Sequence, residues 1–308
     1  MRMKRVLYSV VASCALAGAL YLPARAAGLN IETATIADLN AAFADGTLTS
    51  EQLVSAYLKR IEAYDKHGPA INAIITLNPN ALVEARALDS ERKAGKVRGP
   101  LHGIPIVLKD NFNTFDMPTT AGSQLLEGSI PPADGFLTKK LRDAGAIVIA
   151  KVNLSEFAGG GGSTAGATDP AILKAGTIPN GFSSMGGQTH NPHNTDYGPA
   201  GSSGGTGASI AASFAQLGFG TDTGGSVRGP SSANGIVGLR PTYGLLSRTG
   251  YRPECPESRY RWTDGAKRLR HRGCAWCDGR RRSGRCGDHE ERGQGRERLH
   301  KVFESRIA

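Results

Sequence analysis

Residues 217–228 read LGFGTDTGGSVR, and the rest of the chain is organised around them. Leu217 and Phe219 have the apolar character of the end of a buried strand. The run Thr221-Asp222-Thr223-Gly224-Gly225-Ser226 then breaks that pattern. Two successive glycines let the backbone turn sharply, because glycine tolerates positive φ. They also leave several N–H groups uncovered beside the Ser226 hydroxyl. A nucleophilic serine needs such a turn, with a reachable hydroxyl and N–H donors that can hold an oxyanion. Taken alone, the stretch also reads as a glycine-rich strand-to-helix turn with a solvent-facing serine.

Other stretches bear on that choice. Gly201-Ser202-Ser203-Gly204-Gly205 lies upstream and opens an alanine-rich segment over 207–214. Residues 101–110, LHGIPIVLKD, are an apolar strand with Lys109 at its end, followed by Asp110 and Asn111. Residues 235–242 read GIVGLRPT, with Arg240 before Pro241. In this order the four stretches resemble the amidase signature family, over about residues 36 to 250. Its marks are G-I-P-x-x-x-K-D, G-S-S-G-G, G-T-D-x-G-G-S-x-R and G-x-x-G-x-[KR]-P-T.

The resemblance implies an α/β/α sandwich around a mixed sheet, and hydrolysis of an amide C–N bond through an acyl-enzyme. It makes Lys109 the general base, Ser202 the bridging serine on a cis peptide, and Ser226 the nucleophile. The oxyanion falls to the backbone N–H groups of Thr223, Gly224, Gly225 and Ser226. Ser203, Asp222 and Arg228 support the loop, although Arg228 also reads as a plain ion-pair partner. To act as a base Lys109 must be neutral, so burial has to lower a pKa of ~10.4 by several units. A small-molecule or peptide amide is the implied substrate, with no cofactor, no metal and no nucleic acid. Gly201–Gly205 also fits G-x-S-x-G, the nucleophile elbow of α/β-hydrolases. That elbow needs a strand directly before it, whereas Pro199 and a polar loop stand here.

The remaining pattern supports α/β layering. Helical spacing is expected over 35–43, 50–65 (with Ser50 as cap), 80–93 and 134–144. Strands are expected over 104–108 and 146–150, the second ending in Lys151. The region from Gly159 to Pro199 reads as a long loop covering the site, and His190 and His193 within it lack the carboxylate or cysteine neighbours of a metal site. His67 reads as a solvated loop residue.

Both ends have their own character. Residues 1–26 read as a secretory signal peptide: Arg2, Lys4 and Arg5, then an apolar run over 6–22, then Ala24-Arg25-Ala26. A lipoprotein signal ending at Cys14 is the variant reading. Export to a periplasm or the outside is implied, with no membrane span after cleavage. Residues 27–250 contain no cysteine and read as the N-terminal part of the amidase domain.

From residue 251 the composition changes. Residues 251–308 hold 16 Lys+Arg and 9 Asp+Glu, both tryptophans and four of the five cysteines, so most of the net charge of +10 belongs there. Such a tail could bind nucleic acid or a membrane, or hold zinc through Cys274, Cys277, Cys286 and His289. The alternative function is thus an exported basic binding protein. A third reading is a shifted reading frame. Joining the last two bases of each codon to the first of the next forces glycine at Trp262/Thr263 and at Trp276/Cys277. It allows only Met or Thr at Asp264/Gly265. The shifted frame can spell DTVGPMARSVxDIAAVLGVM, which resembles the segment after S-R-T-G in the family. The expectation is therefore a sandwich incomplete at the C-terminus, unstable, and weakly active or inactive.

Overall fold

The computed structural model describes residues 29–159, 178–242 and 244–252. The expected signal peptide, part of the glycine-rich region and the tail from 253 onward lie outside the described residues, as does the binding reading that rests on that tail. The elements run α1 (Ile36–Ala44), α2 (Ser50–Tyr64), β1 (Ile74–Leu77), α3 (Ala81–Lys93), β2 (Pro105–Lys109), α4 (Phe136–Asp143), β3 (Ile147–Val152), β4 (Phe182–Ser183), β5 (Gly187–Gln188), α5 (Gly204–Ala211), β6 (Leu217–Phe219) and α6 (Arg228–Ala233).

The main sheet has the order β1-β3-β2-β6. Strand β2 lies parallel to both β3 and β6, while β1 is antiparallel to β3, so the sheet is mixed. All of β2 and β3 is buried, as expected for continuous apolar strands covered on both faces. On one face Val107, Ile147 and Ile149 pack with Leu53, Tyr57 and Ile61 of α2, Ala85 and Leu88 of α3, and Ala208 of α5. On the other, Ile106, Leu108 and Val148 pack with Leu137 and Leu141 of α4, together with Phe112, Met117 and Tyr251. These are the three layers of an α/β/α sandwich.

Several expected boundaries move. The cap of α2 is Thr49, not Ser50: the Thr49 hydroxyl accepts the Gln52 N–H, and the Gln52 side chain returns to the Thr49 N–H. Ser50 lies in the first turn, and its N–H donates to Asp89 Oδ1 at 2.7 Å. Helix α4 starts two residues late, because Asp134 is turned back to accept the Phe115 N–H at 3.1 Å. Strand β3 runs one residue beyond Lys151, to Val152. The first two residues assigned to the tail belong to the fold. Tyr251 stacks edge-on against Phe112 with ring centroids 4.5 Å apart, and the Arg252 N–H donates to Asn111 O at 2.8 Å.

Candidate active site

Three chain segments meet at the C-terminal ends of β2 and β6. Lys109 ends β2 and is fully buried. Its Nζ lies 2.8 Å from Ser202 Oγ, 3.0 Å from Ser203 Oγ and 2.8 Å from Thr221 Oγ1. Parallel pairing puts Lys109 and Thr221 together: Leu108 is in register with Phe219, so both chains leave the sheet at one edge. Ser202 and Ser203 arrive from the turn that opens α5, and the Gly201–Ser202 peptide is cis.

Hydrogen-bond direction distinguishes the two serines. Ser203 Oγ donates to Thr221 O at 3.1 Å, so it faces Lys109 as an acceptor. The Ser202 hydroxyl carries no such commitment among the described residues.

The Gly224–Ser226 turn hangs on Asp222. This carboxylate is buried and accepts from Gly225 N–H at 2.6 Å, and from the Val227 and Arg228 N–H groups at 3.2 Å each. Arg228 adds Nε at 3.0 Å and Nη2 at 3.2 Å, while Arg240 Nη1 stands 3.9 Å away. Burial pushes the Asp222 carboxyl up. The Arg228 guanidinium and the three N–H donors more than offset this and hold it at about 2. Asp222 thus ties the serine motif to the arginine of the GIVGLRPT motif.

Gly225 sits at φ +125°, where a side chain would be strained. A Cβ at Gly224 would meet open space, so this face of the turn is approachable. Ser226 is half-buried, and its carbonyl accepts the Ser203 N–H at 3.0 Å, which fixes the turn against the Ser202–Ser203 segment. Among the described residues no hydrogen bond joins Ser202 Oγ to Ser226 Oγ. Of the expected oxyanion donors, the Gly225 N–H is already held by Asp222.

Lys109, Ser202, Ser203 and Asp222 are thus brought together with the Ser226 turn, and Arg228 is the ion-pair partner that the sequence left as one reading. Sequence reasoning missed Thr221 and Asn111, whose Nδ2 donates to Thr221 Oγ1 at 3.2 Å. Their only signal was position, Thr221 next to Asp222 and Asn111 two residues after Lys109. The elbow reading is not met, since irregular chain rather than a strand precedes Ser203. His190 and His193 turn to backbone carbonyls, Nδ1 to Thr195 O at 2.7 Å and Nε2 to Asn234 O at 2.9 Å.

An amidase of Schizosaccharomyces pombe is 43% identical over 227 residues, 73% of this chain and 36% of that protein. A glutamyl-tRNA(Gln) amidotransferase subunit of Streptomyces avermitilis is 41% identical over 223 residues, 72% of this chain and 40% of that one. Among solved structures, the native peptide amidase of Stenotrophomonas maltophilia superposes with TM-score 0.65 at 46% identity, covering 72% of this chain and 42% of that one. The chain thus spans about two-fifths of the length of the relatives it matches. With the family's own pattern running over residues 52–260, the chain belongs to the amidase family.

Proposed function

We propose that this chain carries the acylation machinery of an amide hydrolase, with Lys109, Ser202 and Ser226 as relay. One observation carries the reading: a fully buried lysine has a serine hydroxyl at 2.8 Å whose proton is uncommitted among the described residues, beside a glycine turn presenting a second serine. Ser226 Oγ forms a bond to the amide carbon as its proton passes to Ser202 Oγ, and the Ser202 proton passes to Lys109 Nζ. The oxyanion is held by the N–H groups of Thr223, Gly224 and Ser226. The relay then returns the proton to the nitrogen as the C–N bond breaks, and water hydrolyses the ester. Oriented N–H donors at a developing oxyanion contribute about 10²–10³ in rate per donor.

The substrate read here is a small-molecule or peptide amide; peptide C-terminal amides, aryl amides and cyclic oligoamides all fit this chemistry. The chain is read as exported, with residues 1–26 removed, and residues 253–308 as the product of a shifted frame. Resequencing the codons for 247–261 tests the latter.

Acylation is tested separately from turnover with an activated p-nitrophenyl ester. The expected result is a burst of nitrophenolate approaching one equivalent per chain, absent in Ser226→Ala and slowed at least 10²-fold in Ser202→Ala. A burst that survives Ser226→Ala contradicts the assignment.

A further inference from the structure

A second lysine lies as deeply as the first and has no part in the relay. Lys151 of β3 is fully buried, with Nζ 3.0 Å from Asp110 Oδ1, 2.9 Å from Thr119 Oγ1 and 3.1 Å from Pro118 O. Asp110 is also fully buried and directly follows Lys109. Its other oxygen accepts the Thr120 N–H at 3.0 Å and the Thr120 hydroxyl. Its backbone is held too, N–H to Val152 O at 2.9 Å and carbonyl from Ala121 N–H at 3.0 Å.

Adjacent residues of a strand point to opposite faces, and in the parallel pairing Leu108 is in register with Lys151 and Lys109 with Val152. Lys109 therefore faces Ser202, Ser203 and Thr221, while Lys151 lies on the other face, where it meets Asp110 of the turn that follows β2. A buried carboxylate one residue from Lys109 is little screened by salt, and unpaired it would favour the charged form of that lysine. That is the wrong form for a base.

We propose that Lys151 is a positioning residue of the Lys109 relay: by pairing with Asp110 it cancels the charge behind the base and pins the strand end from which Lys109 and Asn111 reach Thr221. The inference rests on the functional reading above. The charged groups around Lys109 are few among the described residues. Asp110 adjoins it on the chain, and Lys151 comes from β3. Asp222 follows Thr221 on the opposite loop, already matched by Arg228 and Arg240. Asp116 and Arg252 act on Lys151 from farther off. The buried site depresses the Lys151 ammonium, and Asp110 is the largest influence opposing this.

The test is the pH profile of Ser226 phosphonylation by a fluorophosphonate, followed by intact mass on the full chain. The Ser226 Oγ–P bond forms, fluoride leaves, and the serine proton goes to the relay, so the rate rises as Lys109 becomes neutral. In Lys151→Met the midpoint should move up by about one pH unit, since Asp110 loses its partner. In Asp110→Asn it should move down. The double variant, with the pair gone and net charge kept, should return to within a few tenths of a unit of the parent. Shifts of the two single variants in the same direction overturn the inference, as do unchanged midpoints with uniformly slower labelling, which a merely structural role would give. Should the single variants be too unstable to assay, the double variant decides, and a midpoint displaced by a unit or more overturns the inference. Parent chain unlabelled at Ser226 overturns the functional reading itself, and the inference with it.

Discussion

Asp222 shows how much one side chain can determine at this site. It holds three N–H groups and a guanidinium, and so shapes the turn bearing Ser226. Its folded pKa, about 2, lies below the ordinary 3.8. A depressed carboxylate contributes stability that is complete above the unfolded value and lost as pH falls through the folded one. We expect about 2 kcal/mol to disappear between about pH 4 and pH 2, seen as a falling urea midpoint. Asp222→Asn should be less stable at pH 7 and lack that share of the acid dependence. Asp222, Arg228 and Ser226 were legible because GTDTGGSVR is a dense pattern. Thr221 was not, since a threonine beside an aspartate carries no signature; only the register of β2 with β6 brings it to Lys109.

The elements were legible where periodicity is strong and less so where tertiary contacts decide. Helices α2 and α3 follow from apolar spacing within a residue at each end. Strand β1 was missed: IITL is four residues long, only its first residue is fully buried, and no tight turn leads to its partner β3. It supplies the antiparallel edge of the sheet. Helix α5 is a case where composition hides a constraint. Gly205 looks like one more small residue, yet a Cβ there would overlap the Asn153 backbone and approach Ala73 O at 2.9 Å. Gly205→Ala should push α5 off β3, cost about 3 kcal/mol or more in urea unfolding, and displace Ser202 from Lys109. A stability loss below about 1 kcal/mol would mean the helix seats with room to spare.

For the whole molecule, two layers of side chains cover the sheet and the proposed relay stands at its C-terminal edge, as is usual for open α/β sheets. The sandwich was expected from resemblance rather than from the residues alone, because the mixed sheet depends on pairing between distant segments. Not every apolar group is inside: Val237 is 99% exposed and Leu239 59%. Exposed apolar surface of this kind promotes association. Val237→Lys with Leu239→Lys should lower concentration-dependent self-association in sedimentation while leaving the melting temperature within about 2 °C. Unchanged association would place the sticky surface elsewhere.

The central claim is that Lys109, through Ser202, activates Ser226. Fluorophosphonate labelling of the full chain, with the adduct mapped by peptide mass spectrometry, tests it most directly. One adduct per chain is expected, on Ser226, formed at least 10²-fold more slowly in Lys109→Ala. An adduct on Ser203, or labelling of Ser226 at an undiminished rate without Lys109, would contradict it.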